Sequence, residues 1–167
     1  MISFRLVVTG VTLGAFLGAM TGCSSFGKSK ESSLRFHEEI NPQLGENRVR
    51  MVVLPFSNQT VPVSAFASLT ERDIESIHVI KTAEGLSLAL KFDPHGIIVM
   101  DDISVRMRGK MVVVFVDGRP VYAWQVGKRI PDGKVVITPH MTDAEIIKLS
   151  ESLQRTALRH HSLYYRE

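Results

Sequence analysis

Cysteine is almost missing from this chain: Cys23 is the only one in 167 residues. An intramolecular disulfide, a C-x-x-C redox pair and a sulfur-rich zinc site are therefore excluded. The sequence also lacks a G-x-S-x-G elbow, an H-E-x-x-H helix, a P-loop and a dinucleotide fingerprint, and each absence removes one specific chemistry. Charge of one sign is not concentrated anywhere. The 20 basic and 17 acidic side chains are dispersed and sum to +3, so no basic stripe tracks phosphates and nucleic acid is not an expected partner. Aromatic residues make up only 7%, with a single tryptophan, Trp124. His37, His78, His95 and His140 are scattered. His160 and His161 are adjacent, and neighbours on a helix point about 100° apart, so neither a metal site nor a cofactor is expected. Asp101-Asp102 has the composition of an acid/base pair, but a helix start or a solvated loop accounts for it better.

What is present begins at the N-terminus. Arg5 is the only charge before Lys28, and Leu6 to Met20 is apolar or small, a run shorter than the roughly 20 residues that span hydrocarbon comfortably. That is the layout of a signal peptide over residues 1–22, with a tilted transmembrane anchor as the competing reading. Met20-Thr21-Gly22-Cys23 resembles the bacterial lipobox, in which the cysteine is diacylated and becomes the new N-terminus. One acyl chain holds a protein on a bilayer only marginally and several hold it firmly, which accounts for a lone cysteine among Gly22, Ser24 and Ser25. Ser24 in place of aspartate resembles lipoproteins forwarded to the outer membrane, so the expected location is the envelope, on the periplasmic side of the outer membrane where one exists.

Residues 23–47 are polar and turn-rich and read as a tether, with room for at most a turn of helix between Ser32 and Ile40. The folded part is expected over 48–158. RVRMVVLPF is β-branched and reads as a strand ending at Pro55; SNQTVPVSAF, interrupted by Pro62, reads as a loop. Thr70 before acidic residues, with Ile74 and Ile77 three apart, predicts a short helix leading into a strand near Ile77 to Ile80. LSLALKF alternates after an Ala83-Glu84-Gly85 turn and predicts a hairpin; IIVMDDISVRM fits a helix loosely through Ile97, Met100, Ser104 and Met107, while Ile97 to Met100 alone also fits a strand. VVVFV, Asp117-Gly118 and RPVYAW form a second hairpin, since Asp-Gly favours the positive φ of a tight turn. After a turn at Ile130 to Gly133 and a strand at Val135 to Thr138, Thr142-Asp143-Ala144-Glu145 is a capping box. Ile146, Leu149 and Leu153 then line one face of a final helix. The pattern predicts an α+β domain, a largely antiparallel sheet with helices on one face.

From Gly109 to Leu153 the chain resembles the head subdomain of the first periplasmic domain of SecD, the protein-export accessory family. The matching elements are the Gly109-Lys110 strand opening, the Asp117-Gly118 turn, the Ile130 to Gly133 turn and the capped helix from Thr142; Leu69-Thr70, Asp73-Ile74 and Gly96 extend the likeness upstream. Trp124-Gln125 departs from the family's small-residue and proline segment, and Thr138-Pro139-His140 from its glycine-containing link. The resemblance implies a non-catalytic module that contacts unfolded exported proteins or Sec components, or else a fold reused in another envelope complex. Without SecD's transmembrane helices it implies no proton-driven motor. The contact candidates are Tyr122 and Trp124, the latter serving either as a contact or as core filling. To these is added the basic-aromatic tail 159–167 with the residues leading into it: Arg155, Arg159, Tyr164 and Tyr165.

Overall fold

The structure, a computed structural model, describes residues 31–45 and 47–164, with side chains to Arg159. The signal peptide, Cys23 and Tyr165 lie outside the described residues, as does the side chain of Tyr164. Among the described residues three antiparallel sheets and two α-helices make up the fold, which is α+β. The strands are β1 (Leu34–Glu38), β2 (Val49–Val53), β3 (Thr60–Ser64), β4 (Leu69–Thr70), β5 (Ile74–Thr82), β6 (Gly85–Phe92), β7 (Met111–Val116), β8 (Arg119–Gln125) and β9 (Lys134–Ile137). The helices are α1 (Pro94–Arg106) and α2 (Asp143–Tyr164). A four-stranded sheet runs β4-β1-β7-β8, a three-stranded one β5-β6-β9, and β2-β3 is a hairpin of its own.

The four-stranded sheet is covered on both faces, and β7 records this in its sequence. Val112, Val114 and Val116 enter a core shared with β6, β9, α1 and α2, while Val113 and Phe115 enter a smaller core against Val52, Leu54, Val61 and Val63 of the β2–β3 hairpin and its turn. A strand buried on both sides needs a continuous apolar run rather than alternation, and MVVVFV is one. The turn after it has Asp117 at φ 49° and Gly118 at φ 79°, the left-handed pair that a two-residue hairpin requires. Gly96 serves a different need: a Cβ there would lie 2.8 Å from the Asp73 carbonyl oxygen and 2.8 Å from the Phe92 Cβ, so only glycine lets the first turn of α1 seat against β6. The capping box forms as expected. Glu145 N–H donates to Thr142 Oγ1 at 3.4 Å, and Thr142 N–H donates to Glu145 Oε2 at 2.9 Å. Ile146, Leu149 and Leu153 are buried, and Gln154 Nε2 donates to the Ile77 carbonyl at 2.9 Å, fixing α2 along β5.

Four expectations are corrected. Residues 34–38, read as tether, form β1, an interior strand pairing with β7 from Leu34↔Val116 to Glu38↔Val112 and with β4 on its other side. Leu34 and Phe36 have no exposed surface, and Phe36 meets Phe92 and Trp124 edge to face at 5.5 and 6.2 Å. Two of its polar residues are buried as well: His37 Nδ1 lies 2.8 Å from the Ser64 carbonyl, and Glu38 accepts from Arg106 at 2.7 and 3.1 Å and from the Ser68 hydroxyl at 2.6 Å. The SNQTVPVSAF loop contains β3. Pro62 is tolerated because its carbonyl, accepting Ile40 N–H at 2.9 Å, faces away from β2, and so does its nitrogen. Ile74 and Ile77 are not helical: only Glu71–Asp73 makes a 3-10 turn, and both isoleucines lie in β5. A register shift between Ile74 and Ser76 inserts one extra residue, so two positions three apart point to the same core. Finally, residues 159–164 of the supposed tail continue α2.

Because β1 separates β4 from β7, a fragment beginning at Arg48 is expected to be unfolded by circular dichroism, whereas one beginning at Glu31 folds. Phe36→Ala in the full chain is expected to cost about 3–5 kcal/mol in denaturant melts. Glu38 yields a pH prediction. Burial pushes its carboxyl up, but hydrogen bonds from Arg106 and Ser68, with the Arg106 charge, outweigh burial and hold it below the usual glutamate range. A depressed folded-state value contributes stability above the unfolded value of about 4.3 and loses it as pH falls through the folded value. Glu38→Gln is therefore expected to cost about 1–3 kcal/mol at pH 7, with the gap to wild type constant above about pH 5 and closing below about pH 4.

Candidate partner-binding cleft

Tyr122 stands on β8, the last strand of its sheet, and so beside an open edge. The chain leaving β9 returns to that edge, where His140 N–H donates to the Val121 carbonyl at 2.7 Å. The N–H and C=O of Ala123, two residues along the same side of β8, face outward beyond this contact. Between Tyr122, the β5–β6 turn at Glu84, the segment Thr138 to Met141 and the first turn of α2 lies a cleft of about 760 Å3. A second depression of about 370 Å3, lined by Val53, Pro55 and Arg119, lies across His140 and Met141. The His140 ring divides the two and is stacked on Phe56 at 4.6 Å and 7°.

The cleft is apolar at Tyr122, Pro139 and Met141 and acidic at Glu84 and Glu145. Hydrogen bonds from the Thr142 backbone and hydroxyl, aided by Arg119, keep Glu145 below the usual carboxylate range despite some desolvation. Burial, and next the Glu84 charge, push the Tyr122 phenol above its ordinary value, so the ring stays neutral beside the acidic wall. Tyr122 stacks on Trp124 at 6.0 Å. Trp124 is partly buried: one edge rests on Phe36, and the ring joins the core margin while keeping some exposed surface. Of the two segments that depart from the SecD-like pattern, Thr138-Pro139-His140 lines this cleft, while Trp124 stands beside it on Tyr122 and Gln125 Nε2 donates to the Gly109 carbonyl at 2.8 Å.

The other candidates lie elsewhere. Arg155 and Arg159 are exposed on the second half of α2, ten and fourteen residues beyond Glu145, or about 15 and 21 Å along the helix. Tyr164 ends that helix. The Asp101-Asp102 pair sits inside α1, where Asp101 is bound by Arg129 at 2.6 and 2.7 Å and Asp102 by Arg106 at 3.0 Å. The Arg129 hydrogen bonds hold the Asp101 carboxyl low, so it is poorly suited to exchange a proton near neutrality. One grouping escaped the sequence: Asp73, Asp93 and His95 bring one ligand atom each within 4.8 Å of one another. The two carboxylates already cap backbone amides, Asp73 at Thr70 N–H and Asp93 at Gly96 N–H, each at 2.7 Å. Only the Asp-Pro-His spacing of 93–95 hinted at it, and nothing in that tripeptide pointed to Asp73.

No protein-family model and no curated protein matches the sequence. Solved structures do match. One is of SecDF, described as a membrane component that enhances protein export; at 17% identity and TM-score 0.52 it aligns with 78% of this chain and 63% of its own. Another is the crystal structure of SecDF in a super-membrane-facing form, 18% identical with TM-score 0.52, over 78% of this chain and 19% of its own. The fold is thus SecD periplasmic head-like, and the chain spans less than two thirds of each of these proteins. No helix among the described residues is long and apolar enough to cross a membrane.

The Glu84 charge gives a direct test of the cleft's electrostatics. In a spectrophotometric phenolate titration, the component removed by Tyr122→Phe is expected to lie above the ordinary tyrosine value of about 10. Glu84→Gln should bring that component down without returning it fully, since burial, the larger cause, remains.

Proposed function

We propose that this chain is a membrane-anchored envelope lipoprotein, acylated at Cys23, whose SecD head-like domain binds protein segments in the service of protein export and catalyses no reaction. The likeness to SecDF carries the reading, because it covers most of the chain and relates the fold to a membrane component of export. The cleft supports a binding role. It offers an open strand edge at Ala123, apolar contacts from Tyr122, Pro139 and Met141, and carboxylates at its rim, which suits an extended polypeptide adding to β8 with basic side chains towards Glu84 and Glu145. Its histidine is engaged with a phenylalanine ring rather than with a hydroxyl or thiol, so no activated nucleophile converges there among the described residues. The Thr21-Gly22-Cys23 sequence supports the anchor, and Ser24 supports placement on the periplasmic side of an outer membrane.

The expected partners are unfolded exported proteins or Sec components. A photo-crosslinking amino acid at position 122, in the native envelope, should capture them, and one at the exposed position 98 on α1 should not. Capture at 122 of one defined complex unrelated to export would instead establish an accessory role in that complex. Fatty-acid labelling that persists in Cys23→Ala would remove the lipoprotein part of the proposal.

A further inference from the structure

The cleft at Tyr122 does not end at His140. The depression beyond it shares His140, Met141 and Glu145 with the cleft, so the two are halves of one groove that the His140 ring divides. The halves differ in chemistry. The first is lined by the carboxylates of Glu84 and Glu145 and, among the described residues, by no lysine or arginine. The second is walled by Val53, Pro55, Pro120 and Val121, and its arginine, Arg119, faces Glu145 at 3.9 Å. A basic side chain entering there meets Arg119 and an acidic one meets Glu145, so an uncharged apolar side chain suits it best. Val53, at the end of β2, is 58% exposed and leaves apolar surface to be covered.

We infer that the groove recognises a two-part signal in a polypeptide: a basic side chain in the cleft, and an apolar side chain, a few residues later in that polypeptide, in the second depression. The order comes from the sheet. Its described ladders are antiparallel, and a strand added to β8 in the same sense runs from the Trp124 end towards Arg119. It meets Tyr122 and the carboxylates first and the Val53 side afterwards. At Val121 the edge is closed, because His140 N–H already holds that carbonyl at 2.7 Å. The polypeptide therefore pairs at Ala123, and past that point its side chains alone hold it. An extended chain advances about 3.3 Å per residue, so one to three intervening residues carry the second side chain past the His140 ring. Recognition of this kind rejects uniformly basic chains, whose second charge faces Arg119, and purely apolar ones, which offer Glu84 no counter-charge. This inference rests on the polypeptide-binding role proposed above and names the segment that role selects.

Fluorescence anisotropy on the full chain, purified in detergent, tests it. The probes are short labelled Gly/Ser peptides carrying one lysine, two lysines, or a lysine followed by a leucine after one, two or three residues, with the reversed order as control. The best lysine-then-leucine peptide should bind about tenfold tighter than the lysine peptide, the gain of one partly buried apolar side chain. It should also outbind the two-lysine and reversed peptides. Val53→Asn should bring the ratio between the lysine-then-leucine and lysine peptides close to one, and Glu84→Gln should weaken every lysine-bearing peptide. A lysine-then-leucine peptide no tighter than the lysine or two-lysine peptide, a reversed peptide at least as tight, or a ratio untouched by Val53→Asn would overturn the inference and leave the cleft as a site for basic segments. No measurable binding of any lysine-bearing peptide, or binding indifferent to Glu84→Gln, would overturn both.

Discussion

The pairing of β1 with β7 is the constraint on which the rest of this structure depends. It places Phe36 where rings from β6 and β8 meet, aligns Glu38 beneath Arg106 of α1, and puts His37 over Phe115 on the opposite face, where the β2–β3 hairpin closes the second core. One strand therefore links both cores and the short edge strand β4. Its contacts are long-range in sequence, Leu34 with Val116 and Glu38 with Val112, so the sheet is complete only when the segment before the expected domain has joined β7 in its interior.

That same strand explains why the sequence was legible in some places and silent in others. β7, the Asp117-Gly118 turn, the alternating β6 and the Thr142 capping box could be read because their signals are local: a residue type at a fixed offset with one physical meaning. β1 could not. Its buried residues include histidine and glutamate, whose burial is made tolerable by Ser64, Ser68 and Arg106, partners 27 to 68 residues away. In β5 the extra residue at the bulge turned a strand's spacing into that of a helix, and in β3 a proline was harmless only because of the direction its nitrogen faces.

The candidate site was half legible. Tyr122 and Trp124 were readable as contact candidates on the RPVYAW strand, and the structure stacks them on the edge strand of a sheet. Glu84 and Glu145 were not visible as their neighbours, since the cleft is assembled from a hairpin tip, a returning loop and a helix start that adjoin only in three dimensions. The Thr138-Pro139-His140 segment, which departs from the SecD-like pattern, lines this cleft together with Thr142 and Glu145 of the capping box, which follows that pattern.

The central claim is that the open edge of β8 receives an extended polypeptide. Hydrogen exchange on the full chain, with and without an unfolded secretory polypeptide bearing basic residues, reads this at single amides. The account predicts slowed exchange at Ala123 and at residues 140–142, with β1 and β7 unchanged. Unaltered exchange at Ala123, or protection confined to the β2–β3 hairpin, would contradict it.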